Sequence, residues 1–186
     1  MDVHEGRYIY FSDEQIQIVT RAVVTAEDIV SNDYKLSASQ WSQLNYDVKT
    51  AAELIPPEIV DDHLAQIVRY AVRKKYALLD TSIRDFYKIC LQDHSIINVL
   101  NQYKGMAFYP FMVYIVCHEL IHIVRFRRFL QKFDAPLPEK MAEEMRVHQK
   151  THEMLSRIRI DGLFPVLAFF ADWRKTPDEI RVTKKN

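Results

Sequence analysis

A strongly apolar stretch, residues 106–124, carries three polar side chains in its second half: His118, Glu119 and His122. About 20 apolar residues are enough for a helix to cross a bilayer. Ionisable side chains at bilayer depth are costly, however, and Arg125 follows the stretch directly. We therefore predict a helix in the core of the protein, whose polar side chains must find partners there. This constrains the whole fold, because other elements have to surround the helix.

The composition favours long helices joined by few loops. The 186 residues include only three glycines, whereas a sheet with many tight turns needs more of them. No segment alternates apolar and polar residues for long enough to indicate a strand. A chain of this length is expected to form one domain. The prediction is a single all-α domain, residues 1–186, built as a bundle of six to seven helices.

Helix boundaries follow from capping residues, prolines and the helical spacing of apolar residues. The first helix is predicted from a cap at Ser12, with Gln15 completing a capping box, to about Ser31. The second is predicted from a cap at Ser37 or Ser39 and ends at the proline pair that follows residue 55. The later predicted segments are residues 57–76, 83–91, 93–103, 109–132, 139–160 and 163–173, of which 83–91 and 93–103 are short.

Charge and cysteine content exclude several classes of function. Lys and Arg total 25, as do Asp and Glu, so no overall field would recruit nucleic acid or an anionic membrane. Cys90 and Cys117 are too few for a disulfide framework, and the N-terminal residues lack the basic and apolar blocks of a signal peptide. We therefore expect a cytoplasmic protein that binds neither nucleic acid nor membranes.

The apolar helix contains the motif H-E-x-x-H at residues 118–122. On a helix, His118 and His122 lie one above the other on one face, close enough to share a metal ion. Glu119 lies about 100° round the helix from His118, where its carboxylate can reach a water bound to that metal. Two ligands and a base are the core of a zinc hydrolase site.

A second polar stripe follows on the next predicted helix. Glu144, His148 and His152 recur every four residues and so share one face. The two helices form a predicted hairpin, residues 109–160, with a loop that ends at Pro138 in the first helical turn. If the hairpin is centred near Ala135, then His122 faces His148, and His118 faces His152. The pattern predicts a metal ion between the two helices.

The motif together with Glu144, 22 residues after His122, resembles the gluzincin branch of H-E-x-x-H metallopeptidases. The resemblance covers about 35 residues. It implies that His118 and His122 are zinc ligands, that Glu119 is the general base and that Glu144 is the third ligand. This chain has His148 at the position, four residues after Glu144, where those peptidases commonly have an acid.

The remaining ligand positions stay open. Glu144 and His148 are both candidates for completing the site, and His152 is a weaker one that could instead support a ligand or be exposed. Glu143 is expected on the solvated face of its helix. A basic cluster just after the motif is expected to be a solvated helix end, with binding of an anionic substrate or partner as the alternative; its members are Arg125, Arg127, Arg128 and Lys132.

The leading functional hypothesis is a zinc-dependent hydrolase of zincin type, possibly a peptidase, with an unknown peptide or small-molecule substrate. One alternative is a ferritin-like protein with two irons, because Glu119-x-x-His122 also has the spacing by which such bundles bind iron. Its bridging carboxylates would have to come from Glu27, Glu53 or Asp61. The other alternative is a non-catalytic interaction module, in which the metal only stabilises the hairpin through four protein ligands.

Overall fold

Three strands interrupt the run of helices between residues 46 and 91. The computed structural model describes residues 8–73 and 83–174. The prediction of an all-α helix bundle is wrong, because the chain has a mixed sheet as well as helices. The elements are α1 (Asp13–Asp33), α2 (Ala38–Ser42), β1 (Tyr46–Lys49), β2 (Ala65–Arg73), β3 (Ile83–Leu91), α3 (Asp93–Gln102), α4 (Phe108–Arg127), α5 (Leu137–Leu155) and α6 (Leu163–Phe169), with 3₁₀ helices at Ala51–Glu53, Pro56–Glu58 and Ala171–Arg174.

The strands replace three predicted helices. Of the predicted helix at residues 37–55 only the five-residue α2 forms, and β1 follows it. The predicted helices at 57–76 and 83–91 are β2 and β3, while residues 74–76 lie outside the described part of the chain. Both strands are rich in β-branched and aromatic residues, which pack well on a pleated surface. Their apolar residues also fit helical spacing, so periodicity alone could not separate the two states.

The first compact unit, residues 1–17 and 36–103, contains the sheet. β3 lies in the centre, parallel to β1 and antiparallel to β2. The buried carboxylate of Glu58 accepts hydrogen bonds from Tyr70 Oη and, at 2.6 Å, from Lys88 Nζ. Burial acts to raise the pKa of Glu58, but these hydrogen bonds outweigh it and hold the pKa below its usual value. The network therefore ties the 3₁₀ helix Pro56–Glu58, which lies between β1 and β2, to β2 and β3.

The second compact unit, residues 18–35 and 104–186, consists of helices in its described part. Fourteen of the twenty residues of α4 are buried, which confirms the prediction of a helix buried in the core. Two further helices of the unit, α5 and α6, pack against α4. Within residues 8–73 and 83–174, no helix combines the length and the hydropathy that crossing a membrane requires.

The ends of α4 and α5 differ from the predicted ones. α4 ends at Arg127, five residues earlier than expected, because the backbone turns into the left-handed region at Phe129 (φ 55°). The amide of Leu130 donates to the carbonyl of Arg125 at 2.9 Å, the bond that closes a Schellman motif. α5 spans Leu137–Leu155 and not the predicted residues 139–160, and it has a proline in its first turn, as predicted for Pro138.

Candidate metal centre

The loop between α4 and α5 sets which residues of the two helices face each other. It spans residues 128–136, so its middle is residue 132 rather than Ala135. The earlier turn brings residues nearer to the start of α5 than the predicted His152 against His118. His148, which is four residues or about one helical turn before His152, lies against His118, with ring centroids 4.2 Å apart. Glu144 lies at the height between the two histidines of the motif.

The side chains of His118, His122 and Glu144 meet at the centre of the hairpin, and their potential metal-ligand atoms form what we call the donor cluster. Nε2 of His118 and Nε2 of His122 are 3.2 Å apart. The carboxylate of Glu144 contacts both rings, with Oε2 3.2 Å from His118 Nε2 and Oε1 3.2 Å from His122 Nε2. Both histidines are buried, whereas the side chain of Glu144 is 54% exposed, which leaves one side of the cluster open to solvent.

These distances match those between the ligands of a single zinc ion. Two zinc bonds of ~2.0–2.1 Å at a tetrahedral angle place their donor atoms ~3.3 Å apart. The spacing of 3.2 Å among His118, His122 and Glu144 is close to this value. His118, Glu144 and His148 also form a group whose donor atoms all lie within 4.8 Å of one another. The geometry thus offers three closely spaced donors and a fourth near them.

The proton positions at His122 also fit a bound cation. Nδ1 of His122 lies 3.3 Å from Oε1 of Gln131, which accepts a hydrogen bond when this nitrogen carries the proton of the neutral ring. Nε2 then has a lone pair that faces the carboxylate of Glu144. Two lone pairs at 3.2 Å repel each other unless the ring gains a second proton or a cation lies between them.

Electrostatics favour positive charge at the cluster. Burial acts to raise the pKa of Glu144, but hydrogen bonds with His118 and His122 outweigh it and hold the pKa well below its usual value. Burial acts to lower the pKa of His122, yet the hydrogen bond and the charge of Glu144 raise it overall. The carboxylate therefore stays ionised and stabilises a cation beside the rings.

The other sequence candidates occupy different positions. Glu119 is half-buried, and its charge contributes to the raised pKa of His122, so its carboxylate lies within electrostatic range of that ring. His152 is also half-buried and does not belong to the donor group found in the described residues. Cys117 is fully buried, as expected, and burial raises the pKa of its thiol. The role of Glu119 as general base and the role of His152 as a ligand or a supporting residue therefore stay predictions.

Sequence reasoning missed the residues that support the cluster. A histidine that binds a metal through one ring nitrogen usually donates the N–H group of the other ring nitrogen to a neighbour. Gln131 is such a neighbour for His122, and Tyr114 is one for His148, with Oη 2.9 Å from Nδ1. His118 Nδ1 is buried and has no hydrogen-bond partner among the described residues. Tyr114 precedes His118 by four residues, so the motif's own helical stripe, extended by one turn, could have indicated it.

The expectation that Glu143 lies on the solvated face is wrong. Glu143 is buried at 3% exposure and is paired with Arg125 and Arg146. Arg125 is therefore largely buried in an ion pair, whereas the sequence predicted it in a solvated basic cluster at the helix end. In the sequence Glu143 looks like a surface residue, because Arg125, which pairs with it across the hairpin, is 18 positions away.

Aromatic side chains line the cluster on the side of His148. The ring of Phe170 lies 5.6 Å and that of Trp173 lies 5.2 Å from the imidazole, centroid to centroid. Both residues follow α6, which packs on α4. They give His148 an apolar environment that strengthens electrostatic interactions inside the cluster.

Comparison of the chain with protein-family models, with curated proteins and with solved structures finds no match.

Proposed function

We propose that the protein is a zinc-dependent hydrolase of zincin type that acts on a peptide or small-molecule substrate. The observation that supports this is the convergence of His118, His122 and Glu144 at mutual distances of 3.2 Å, with the glutamate of H-E-x-x-H beside them. When bound, zinc lowers the pKa of a coordinated water molecule towards neutrality. We further propose a cytoplasmic protein, where reducing conditions keep the buried thiols of Cys90 and Cys117 reduced.

The ligand set of the proposal has four members. His118, His122 and Glu144 are the close donors, and His148 is the fourth, within 4.8 Å of His118 and Glu144. Zinc can expand from four ligands to five, so four protein donors still leave a position for water. The exposed side of Glu144 is the route by which water and substrate reach that position.

Glu119 is the proposed general base. Its carboxylate accepts the proton that the attacking water loses and then passes it to the leaving group of the substrate. A base must be within hydrogen-bond reach of its proton, and the position of Glu119 directly after His118 on α4 supports this role. The neighbouring ring of His122 feels its charge, in keeping with this role.

A second candidate function is a non-catalytic module that the metal stabilises. It is favoured by the position of His148, because four protein donors around a four-coordinate zinc would leave no place for water. The ferritin-like alternative with iron has less support, since none of Glu27, Glu53 and Asp61 belongs to the donor group in the described residues.

Metal analysis combined with one variant tests the proposal. The purified protein should contain about one zinc per chain. Glu119→Gln should retain the zinc and lose hydrolysis of a fluorogenic peptide library and of simple chromogenic esters, while Glu139→Gln, on the exposed first turn of α5, should retain both. Hydrolysis that persists in Glu119→Gln would contradict the assignment of Glu119 as the general base.

The alternatives give different results in the same experiment. Two irons per chain would favour the ferritin-like protein. Zinc that resists chelators, whose removal unfolds the chain and which supports no hydrolysis, would favour the structural module.

A further inference from the structure

Tyr114 extends the polar stripe of α4 by one turn. It precedes His118 by four residues, as His118 precedes His122, so the three side chains share one face of the helix. The phenol is only 1% exposed, and its Oη lies 2.9 Å from Nδ1 of His148 on α5. A buried hydroxyl and a buried imidazole thus meet across the hairpin, directly beside the donor cluster.

The position of this hydroxyl is fixed by packing. The ring of Tyr114 stacks on that of Phe170, with centroids 4.0 Å apart and planes within 2° of parallel. Phe170 is itself buried and stacks on Phe111, one helical turn before Tyr114. Because the ring of Tyr114 is stacked on Phe170, its hydroxyl cannot change direction without repacking of the core.

The hydrogen bond of this hydroxyl bears on which ring nitrogen of His148 is available to bind a metal. A neutral imidazole has one N–H group and one lone pair, and the hydrogen bond of one nitrogen sets the state of the other. We propose that Tyr114 is a positioning residue of the metal centre: its oxygen accepts the Nδ1 proton of His148, which leaves the Nε2 lone pair for the ion. This inference rests on the proposed zinc site, to which it adds the residue that selects the ligand atom.

The ring contact between His148 and His118 supports the assignment. With Nδ1 held by Tyr114, Nε2 is the nitrogen of His148 that remains for an ion, and the two imidazoles lie with centroids 4.2 Å apart. Partners of this kind orient metal-binding histidines in general, and their removal typically lowers metal affinity 10–100-fold, as an order of magnitude.

A matched pair of variants tests the proposal. Tyr114→Phe removes the hydroxyl and keeps the stacked ring. Tyr109→Phe makes the same change one turn earlier on α4, where the hydroxyl bonds Thr25 Oγ1 at 2.8 Å. Zinc affinity is measured on the full chain by competition with a chromophoric chelator, and ligand geometry by the visible spectrum of the cobalt-loaded protein. Tyr114→Phe should weaken zinc binding about 10–100-fold and change the cobalt spectrum, while Tyr109→Phe changes neither.

The possible failures can be told apart. Zinc affinity and a cobalt spectrum in Tyr114→Phe that equal those of Tyr109→Phe would overturn the role of Tyr114 and leave the zinc site intact. Absence of metal binding in the wild type would overturn the zinc site and this inference together. If Tyr114→Phe does not fold, long-range ¹H–¹⁵N spectra of the zinc-loaded wild type decide: a proton on Nδ1 of His148 supports the proposal, and a proton on Nε2 overturns it.

Discussion

Arg125 and Glu143 form a two-point ion pair across the α4–α5 hairpin. Nε of Arg125 donates to Oε1, and Nη2 donates to Oε2 at 3.1 Å. Both side chains are largely buried, at 16% and 3% exposure. The pair lies one turn beyond His122 on α4 and directly before Glu144 on α5, so it holds the two helices together next to the donor cluster.

Glu143→Gln should destabilise the fold. Removing one partner of a buried ion pair leaves the other charge buried without compensation, which typically costs about 3–5 kcal/mol, or somewhat less here because Gln retains a hydrogen-bond acceptor. Chemical denaturation measures the change in the free energy of unfolding. The matched control is Glu153→Gln on the same helix, whose exposed pair with Arg157, two residues after the helix ends, should contribute less than about 1 kcal/mol. Equal effects of the two variants would show that the buried pair does not hold the hairpin.

Glu144→Gln should abolish tight zinc binding. The amide oxygen of Gln is a weaker, uncharged ligand, and loss of a direct ligand should cost more than the ~10–100-fold that supporting residues contribute. Isothermal titration with zinc measures the change, and Glu139→Gln on the first turn of the same helix serves as control. Undiminished affinity in Glu144→Gln would mean that the histidines alone bind the ion.

Glu58 should make the stability of the first unit depend on acidic pH. Its pKa in the folded state is below the usual value, so its contribution is present above the unfolded pKa of ~4.3 and is lost as pH falls through the folded pKa. The free energy of unfolding of the wild type should therefore exceed that of Glu58→Gln at neutral pH, and the difference should shrink on acidification. Glu53→Gln, which removes an exposed pair with Lys49, is the control and should change the free energy of unfolding by less than about 1 kcal/mol. A difference that stays constant down to pH ~2 would contradict the assignment.

Phe129→Gly should stabilise the hairpin. Phe129 has a left-handed backbone at the position of the Schellman motif where glycine is preferred, and its side chain is 93% exposed, so little packing is lost. Relief of the left-handed conformation should add about 1 kcal/mol to the free energy of unfolding. Leu130→Gly, one residue later and outside the left-handed region, should be neutral or destabilising. If both variants destabilise, the side chain of Phe129 has a packing role.

Local signals in the sequence predicted part of the fold well. The capping box at Ser12 is confirmed, since its backbone amide bonds Gln15 Oε1 at 2.9 Å and its hydroxyl accepts from the Gln15 amide at 3.3 Å. The buried helix around the motif is also confirmed. It was predictable because an apolar run of that length has to be covered by other parts of the protein. Both predictions depend on residues within a few positions of one another.

The sheet could not be predicted in this way. Ile89 at the centre of β3 pairs with Val48 on one side and with Ile67 on the other, 41 and 22 positions away. Each of these segments has an apolar pattern that a short helix would also show. Only the pairing of all three, which satisfies their backbone hydrogen bonds at once, makes the strands preferable.

For the candidate site, the sequence by itself determined which donors are available and that two of them lie one turn apart on a buried helix, because these properties follow from helical periodicity. The tertiary structure decided the rest: that the loop turns at Phe129, that Glu144 therefore faces both histidines, and that Tyr114, Gln131 and Arg125 support the cluster. The physical reason is that facing residues on packed helices depend on where each helix ends, and one turn of difference exchanges every partner across the hairpin.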